Sequence, residues 1–163
     1  MLEFKPLSPE GIEPALHKAE HYRLLNEPWE AESICRDILA IEQDNQRALV
    51  VLILALTEQF GDKGGVDEDE PRELLPSLVD EYERAYYGGI ISERKAKEML
   101  SHGTLGSGPV AFELLRDAME WYEKAEQLSP RGNDDALLRW NTCARQVLRN
   151  KLRPPPRPPG GTE

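Results

Sequence analysis

Cysteine, basic charge and long apolar stretches are all in short supply in this chain of 163 residues, and each shortage excludes something. Only two cysteines occur, Cys35 and Cys143, far apart and in no C-x-x-C arrangement. That rules out a disulfide framework, and both are expected as small buried hydrophobes of a reducing compartment. The longest unbroken apolar run, Ala48 to Leu56, is nine residues and too short to span a bilayer. β-Branched runs are scarce outside Val50, Val51 and Ile53, so strands are not expected. The opening Met1-Leu2-Glu3-Phe4-Lys5-Pro6 lacks the basic-then-apolar order of a signal peptide, which gives the expectation of a cytoplasmic protein. Basic residues number 20 against 30 acidic, a formal net charge of −10. Such a field repels phosphate backbones and anionic membrane surfaces, so neither nucleic acid nor membrane is expected as a partner.

What is present is helix-forming: Ala, Leu, Glu, Arg and Lys recur, and hydrophobic residues make up 39% of the chain, enough for one domain with a core. Apolar spacing predicts helices over about 10–25, 28–41 and 46–60, with Asn26 as a stop and Pro28 in a first turn. The third of these is apolar on every side and is expected at the centre of the domain. Residues 61–70, with the acidic run Asp67-Glu68-Asp69-Glu70, read as a solvated loop. A fourth helix is predicted over 71–87, ended by Gly88-Gly89, and a fifth over 92–101 with Ser92 as its cap. A glycine-rich connection, 103–108, leads to a sixth helix from Pro109 to about Leu128, and a seventh follows over 134–151. The domain is expected to span 1–151. The proline-rich stretch 152–163 is expected to be an extended or disordered tail.

Three segments share a spaced set of small and large residues: Ala31-x3-Cys35-x2-Ile38, Leu78-x3-Tyr82-x2-Ala85 and Ala118-x3-Tyr122-x2-Ala125. Steps of four and three keep such residues on one helical face, where a small-large-small set lets two helices approach closely. With Ala19 and Tyr22 in the first helix, and with Leu128 and Pro130 completing the third set, the chain resembles a degenerate tetratricopeptide-repeat protein over roughly residues 12–150. The resemblance implies an all-α solenoid of helical hairpins, about seven antiparallel helices, and a protein–protein interaction module or small adaptor rather than an enzyme. It departs from the family in its acidic insertion and in lacking the tryptophan and leucine-glycine pair of the first helix of each repeat. Its size and acidity are also similar to those of the class II type III secretion chaperones.

The sharpest chemical motif is His17-x-x-Glu20-His21. Histidines four apart on a helix can share a zinc ion, with the glutamate as general base and Glu98 as a distant third ligand. That supplies an alternative reading, a small zinc-dependent hydrolase. The enzymes that carry this motif use a larger sheet-and-helix fold, so no metal, cofactor or catalytic residue is expected. Asp62, Asp67, Asp69 and Glu70 lack EF-hand spacing, and the 103–108 glycines lack the lysine and preceding strand of a phosphate loop.

In the family, the first helix of each hairpin lines a concave groove. The resemblance therefore implies a peptide-binding surface formed by Glu20 and Arg23, by Val50, Leu54 and Thr57, by Glu93 and Lys97, and by Leu138, Thr142 and Arg145. A peptide or amphipathic helix of a protein partner would lie there. The subfamily that clamps C-terminal carboxylates has lysine and asparagines where this chain has Leu16, Glu20 and Val51. Only Arg139 agrees, so that specialisation is not expected. A third reading is a purely structural domain whose groove is filled by its own last helix.

Overall fold

Proline, asparagine and aspartate divide this chain into helices at the points their chemistry favours. A computed structural model describes residues 1–160. Among these, seven α-helices follow one another with no strand. They are α1 (Ile12–Leu24), α2 (Pro28–Ile41), α3 (Gln46–Thr57), α4 (Asp69–Leu74), α5 (Glu81–His102), α6 (Ser107–Leu128) and α7 (Asp135–Arg149). Single 3-10 turns precede α1 (Pro9–Gly11) and follow α4 (Leu75–Ser77). The all-α class expected from composition and periodicity is the class observed.

Several boundaries follow directly from local chemistry. Asn26 takes a left-handed conformation (φ 59°) just past α1, a role its short polar side chain tolerates. Pro28 then occupies the first turn of α2, where a missing N–H is harmless. Asn45 caps α3 by accepting the Ala48 N–H at 2.9 Å. α3 buries Ala48, Leu49, Val51, Leu52, Ile53, Ala55, Leu56 and Thr57, as expected of a helix apolar all round. The ends differ slightly from expectation: α1 opens at Ile12, α3 closes at Thr57, α6 opens at Ser107 and α7 covers Asp135–Arg149.

The region 71–101 corrects the sequence reading. No helix runs over 71–87, and Gly88-Gly89 ends nothing. α4 is six residues long and gives way to a 3-10 turn at Leu75–Ser77, where Pro76 sits. Leu78 is extended (φ −76°, ψ 128°). Asp80 then starts α5 by accepting the Tyr82 N–H at 2.9 Å, and the helix continues for 22 residues through both glycines and through Ser92. Neither glycine has positive φ. What they provide is closeness: a Cβ on Gly89 would lie 2.4 Å from Cε1 of Tyr122, and one on Gly88 would lie 2.9 Å from the Trp121 ring. Glycine costs a helix interior up to about 1 kcal/mol relative to alanine, and here that cost admits two aromatic side chains of α6.

Each helix packs on the next, most extensively α5 on α6, and there are further contacts between α1 and α3 and between α3 and α5. Two of the three repeated sets are the deepest parts of the two ends. Ala31, Cys35 and Ile38 are 0% exposed in α2, and so are Ala118, Tyr122 and Ala125 in α6. The middle set is not a helical face, because Leu78 lies in the linker before the Asp80 cap while Tyr82 and Ala85 lie in α5. Leu78 is nevertheless fully buried. Its linker is held to α3 by Gln46, whose amide donates to the Ser77 carbonyl at 3.2 Å and accepts the Val79 N–H at 3.0 Å. The chain after Arg149 has no regular structure through residue 160. Leu152 packs back on the α5–α6–α7 core. The rest of the proline-rich tail, 161–163, lies outside the described residues.

Candidate functional site

α1, α3, α5 and α7 are joined by a row of polar contacts, and most of the residues that sequence reasoning assigned to a binding surface belong to it or border it. Arg23 of α1 forms an ion pair with Glu58, the residue just after α3, and its Nε donates at 2.8 Å. Glu58 also accepts from Nη1 of Arg94 in α5 at 3.4 Å. The same nitrogen donates to Thr57 Oγ1 at 2.8 Å, while Thr57 donates to the Leu54 carbonyl at 2.7 Å. One turn of hydrogen bonds therefore stitches three helices together.

The row continues into α7. Glu93, beside Arg94 on α5, is 0% exposed. It accepts from Arg139 Nη1 of α7 at 2.8 Å and from the Cys143 thiol at 3.4 Å, with Lys97 Nζ at 3.6 Å. A carboxylate buried this completely is tolerable only with such partners. Burial, reinforced by the Glu93 carboxylate, pushes the Cys143 thiol well above the usual thiol range. Burial also lowers the Arg94 guanidinium, with Arg139 and Arg23 adding like charge against the pull of Glu58. Tyr122 projects toward this cluster. Its hydroxyl is buried without a hydrogen-bond partner, and burial together with Glu93 raises its pKa strongly.

Beside Arg139 lies a hollow of about 230 Å³ lined by Tyr86, Asp135, Leu138, Arg139 and Thr142. Leu138 is 59% exposed there, and Thr142 donates to the Leu138 carbonyl at 3.0 Å. Arg145 is exposed one turn further on. At the other end, Glu20 accepts from Arg47 Nη2 at 3.1 Å and so is tied to α3. Val50 and Leu54 are half-buried and pack into core clusters, Val50 beside Leu49 and Ile53, Leu54 against the α5–α6–α7 core. Arg23 and Thr57 are thus brought together, as are Glu93 and Lys97, and Leu138 and Thr142. Val50 and Leu54, each half-buried, lie at the edge of these clusters.

Sequence reasoning missed Glu58, Arg94 and Tyr86, and it cited Arg139 only for comparison. Arg94 follows Tyr87 by seven residues on one continuous helix, a spacing that marks a shared face. The signal was hidden by dividing α5 at its glycines.

The zinc motif is engaged otherwise. His17 Nε2 lies 3.7 Å from Glu13, both well exposed, and Glu20 pairs with Arg47. Glu98 is held by Lys95 and His102. Among the described residues, no group of three or more His, Cys, Asp or Glu side chains is arranged to hold a metal ion. The acidic loop is also partnered: Glu70 with Arg36, Glu68 with Arg72, and Asp67 with the Asp69 N–H. No helix among the described residues is long and apolar enough to cross a membrane. No protein-family model matches this chain, and neither does any curated protein.

Proposed function

We propose that this chain is a non-enzymatic, tetratricopeptide-like binding module that holds a peptide or helical segment of a protein partner along the face made by α1, α3, α5 and α7. The observation that carries this reading is the polar row linking alternate helices, Arg23–Glu58–Arg94 and then Glu93–Arg139. Alternate helices that share one face are what a hairpin solenoid would provide, with α2, α4 and α6 behind. Val50 and Leu54 are half-buried against neighbouring clusters, so the reading centres on the α5–α7 end, where a hollow is open. There Tyr86 and Leu138 offer apolar contact, and Arg139 and Thr142 offer polar contact in one hollow. An apolar anchor with flanking polar groups is the usual energetic pattern of such recognition.

The test is peptide selection from a random display library on the purified chain. Selected peptides should lose at least tenfold in affinity, about 1.4 kcal/mol, when Leu138→Glu and Thr142→Arg are combined. Both side chains sit at the surface, so helicity should persist. Trp29→Ala on the exposed side of α2 should leave binding unchanged. Peptides whose affinity ignores the α7 pair would overturn the reading.

A further inference from the structure

Along the outer seam of the α6/α7 hairpin, apolar side chains reach the surface. Two adjoining hollows run along it. One is about 290 Å³, formed by Phe112, Arg116 and Met119 of α6 with Ala144, Val147 and Leu148 of α7. The other is about 320 Å³, formed by Glu123 and Glu126 of α6 with Leu137, Trp140 and Asn141 of α7. The α6 residues step by four and three, so they form one stripe, and the α7 residues form its antiparallel counterpart. At 1.5 Å per residue, the seam from 112 to 126 is about 21 Å long. Leu148 is 76% exposed on it and Leu137 37%.

Charge is divided along this seam. The Phe112/Leu148 end carries Arg116, whose side chain is 59% exposed although Glu113 holds it at 2.8 Å. There α7 finishes on Arg149, followed by Lys151 and Arg153. The opposite end carries Glu123 and Glu126, with Asp134 just before α7. Glu123 accepts from Trp140 Nε1 at 3.0 Å and keeps a second carboxylate oxygen for another donor. A face that is apolar in the middle, basic at one end and acidic at the other is complementary to itself after a half-turn. A two-fold contact between identical subunits demands that property.

We infer that the occupant of this seam is a second copy of the chain, related by a two-fold axis near Met119 and Ala144. Arg116 of each copy then faces Glu123 of the other, and Leu148 and Phe112 cover Leu137 and Trp140. The contact is modest. A face about 21 Å by 20 Å is roughly 400 Å², half the ~800 Å² per partner of a standard stable interface. Association is therefore expected in the micromolar range, fully reversible and weakened by salt.

Sedimentation equilibrium of the full chain between about 5 and 500 µM should show mass rising from monomer toward dimer, a range set by the modest interface. Leu148→Glu should abolish the rise. Arg116→Glu alone and Glu123→Arg alone should each weaken dimerisation about tenfold or more, since each sets like charges face to face. Mixing the two variants in equal amounts should restore association, because both contacts of the mixed dimer are again opposite in sign. These side chains are at the surface, and circular dichroism of each variant checks that it is folded. A chain that is monomeric throughout, as expected if the seam instead receives a different protein's helix, overturns the inference. So does a dimer indifferent to Leu148→Glu, or a mixture no more associated than its components.

Discussion

In the first three helices the central residue of the repeated face is Cys35, and in the last three it is Tyr122. Both are 0% exposed, flanked by Ala31 and Ile38 in one case and by Ala118 and Ala125 in the other. The neighbouring helices differ accordingly. Around Cys35 the cluster is built from Ala19, Val51, Leu52, Ala55 and Leu56 of α1 and α3, ordinary helix residues. Around Tyr122 the helix α5 gives up side chains altogether at Gly88 and Gly89, and α5 and α6 extend to 22 residues each. One packing position has thus been filled in two ways, and the larger side chain draws a compensating void from the helix it meets. An aromatic ring buries 150–250 Å², which repays part of what two helical glycines cost.

The strongest way to break this comparison is Gly89→Ala. Elsewhere in a helix the change would stabilise by up to about 1 kcal/mol. Here the added Cβ meets a fully buried ring at 2.4 Å, and overpacking of this kind costs about 1–3 kcal/mol. A net fall of several degrees in Tm is expected, at roughly 2–4 °C per kcal/mol for a chain of this size. A Tm at or above wild type would show that Tyr122 moves freely.

A second test sharpens the contrast at Cys35, whose thiol is pushed up to about 12, chiefly by burial. A group with a raised folded pKa stabilises fully below its unfolded value, about 8.5 for a thiol, and that stability is lost as pH climbs toward the folded value. Between those limits the unfolded chain has released the proton and the folded chain has kept it. Unfolding free energy from urea titrations should therefore decline from about pH 8.5 upward, and Cys35→Ala should decline less steeply. Identical slopes would mean that the thiol is not shielded as its burial implies.

The smallest expected effect is Tyr122→Phe. The hydroxyl is buried with no partner, and an unsatisfied donor in the core carries a desolvation penalty of about 1–3 kcal/mol. Removing it should leave Tm unchanged or slightly higher. A clear drop would reveal that the hydroxyl has a partner after all, such as bound water near Glu93.

How much was legible beforehand depends on the range of the interaction. α2 was legible to the residue, because Asn26, Pro28 and its apolar spacing are local signals. α3 was recognisable from an apolar run with no polar face. The division of 71–101 failed because Gly88-Gly89 was read as local punctuation, while its reason lies on another helix, in the rings of Trp121 and Tyr122. Pro76 and Asp80, which do break the chain, were overlooked inside an otherwise helical pattern. Of the surface residues, Glu93 illustrates the limit most clearly. Its position on the correct helix was inferred, but its complete burial under Arg139 and Cys143 depends on a helix 46 to 50 residues away.

By itself the sequence determined the all-helical class, the central place of α3 and the close-packed faces around Cys35 and Tyr122. Helix propensity, capping and the 3.6-residue period act within a few residues. Only the tertiary structure decided that two glycines join α5 where they had been expected to end a helix, that a buried Glu93–Arg139 pair ties it to α7, and that Leu78 is buried in a linker outside any helix. Each of these outcomes rests on contact between segments dozens of residues apart, where desolvation and steric fit outweigh local preference.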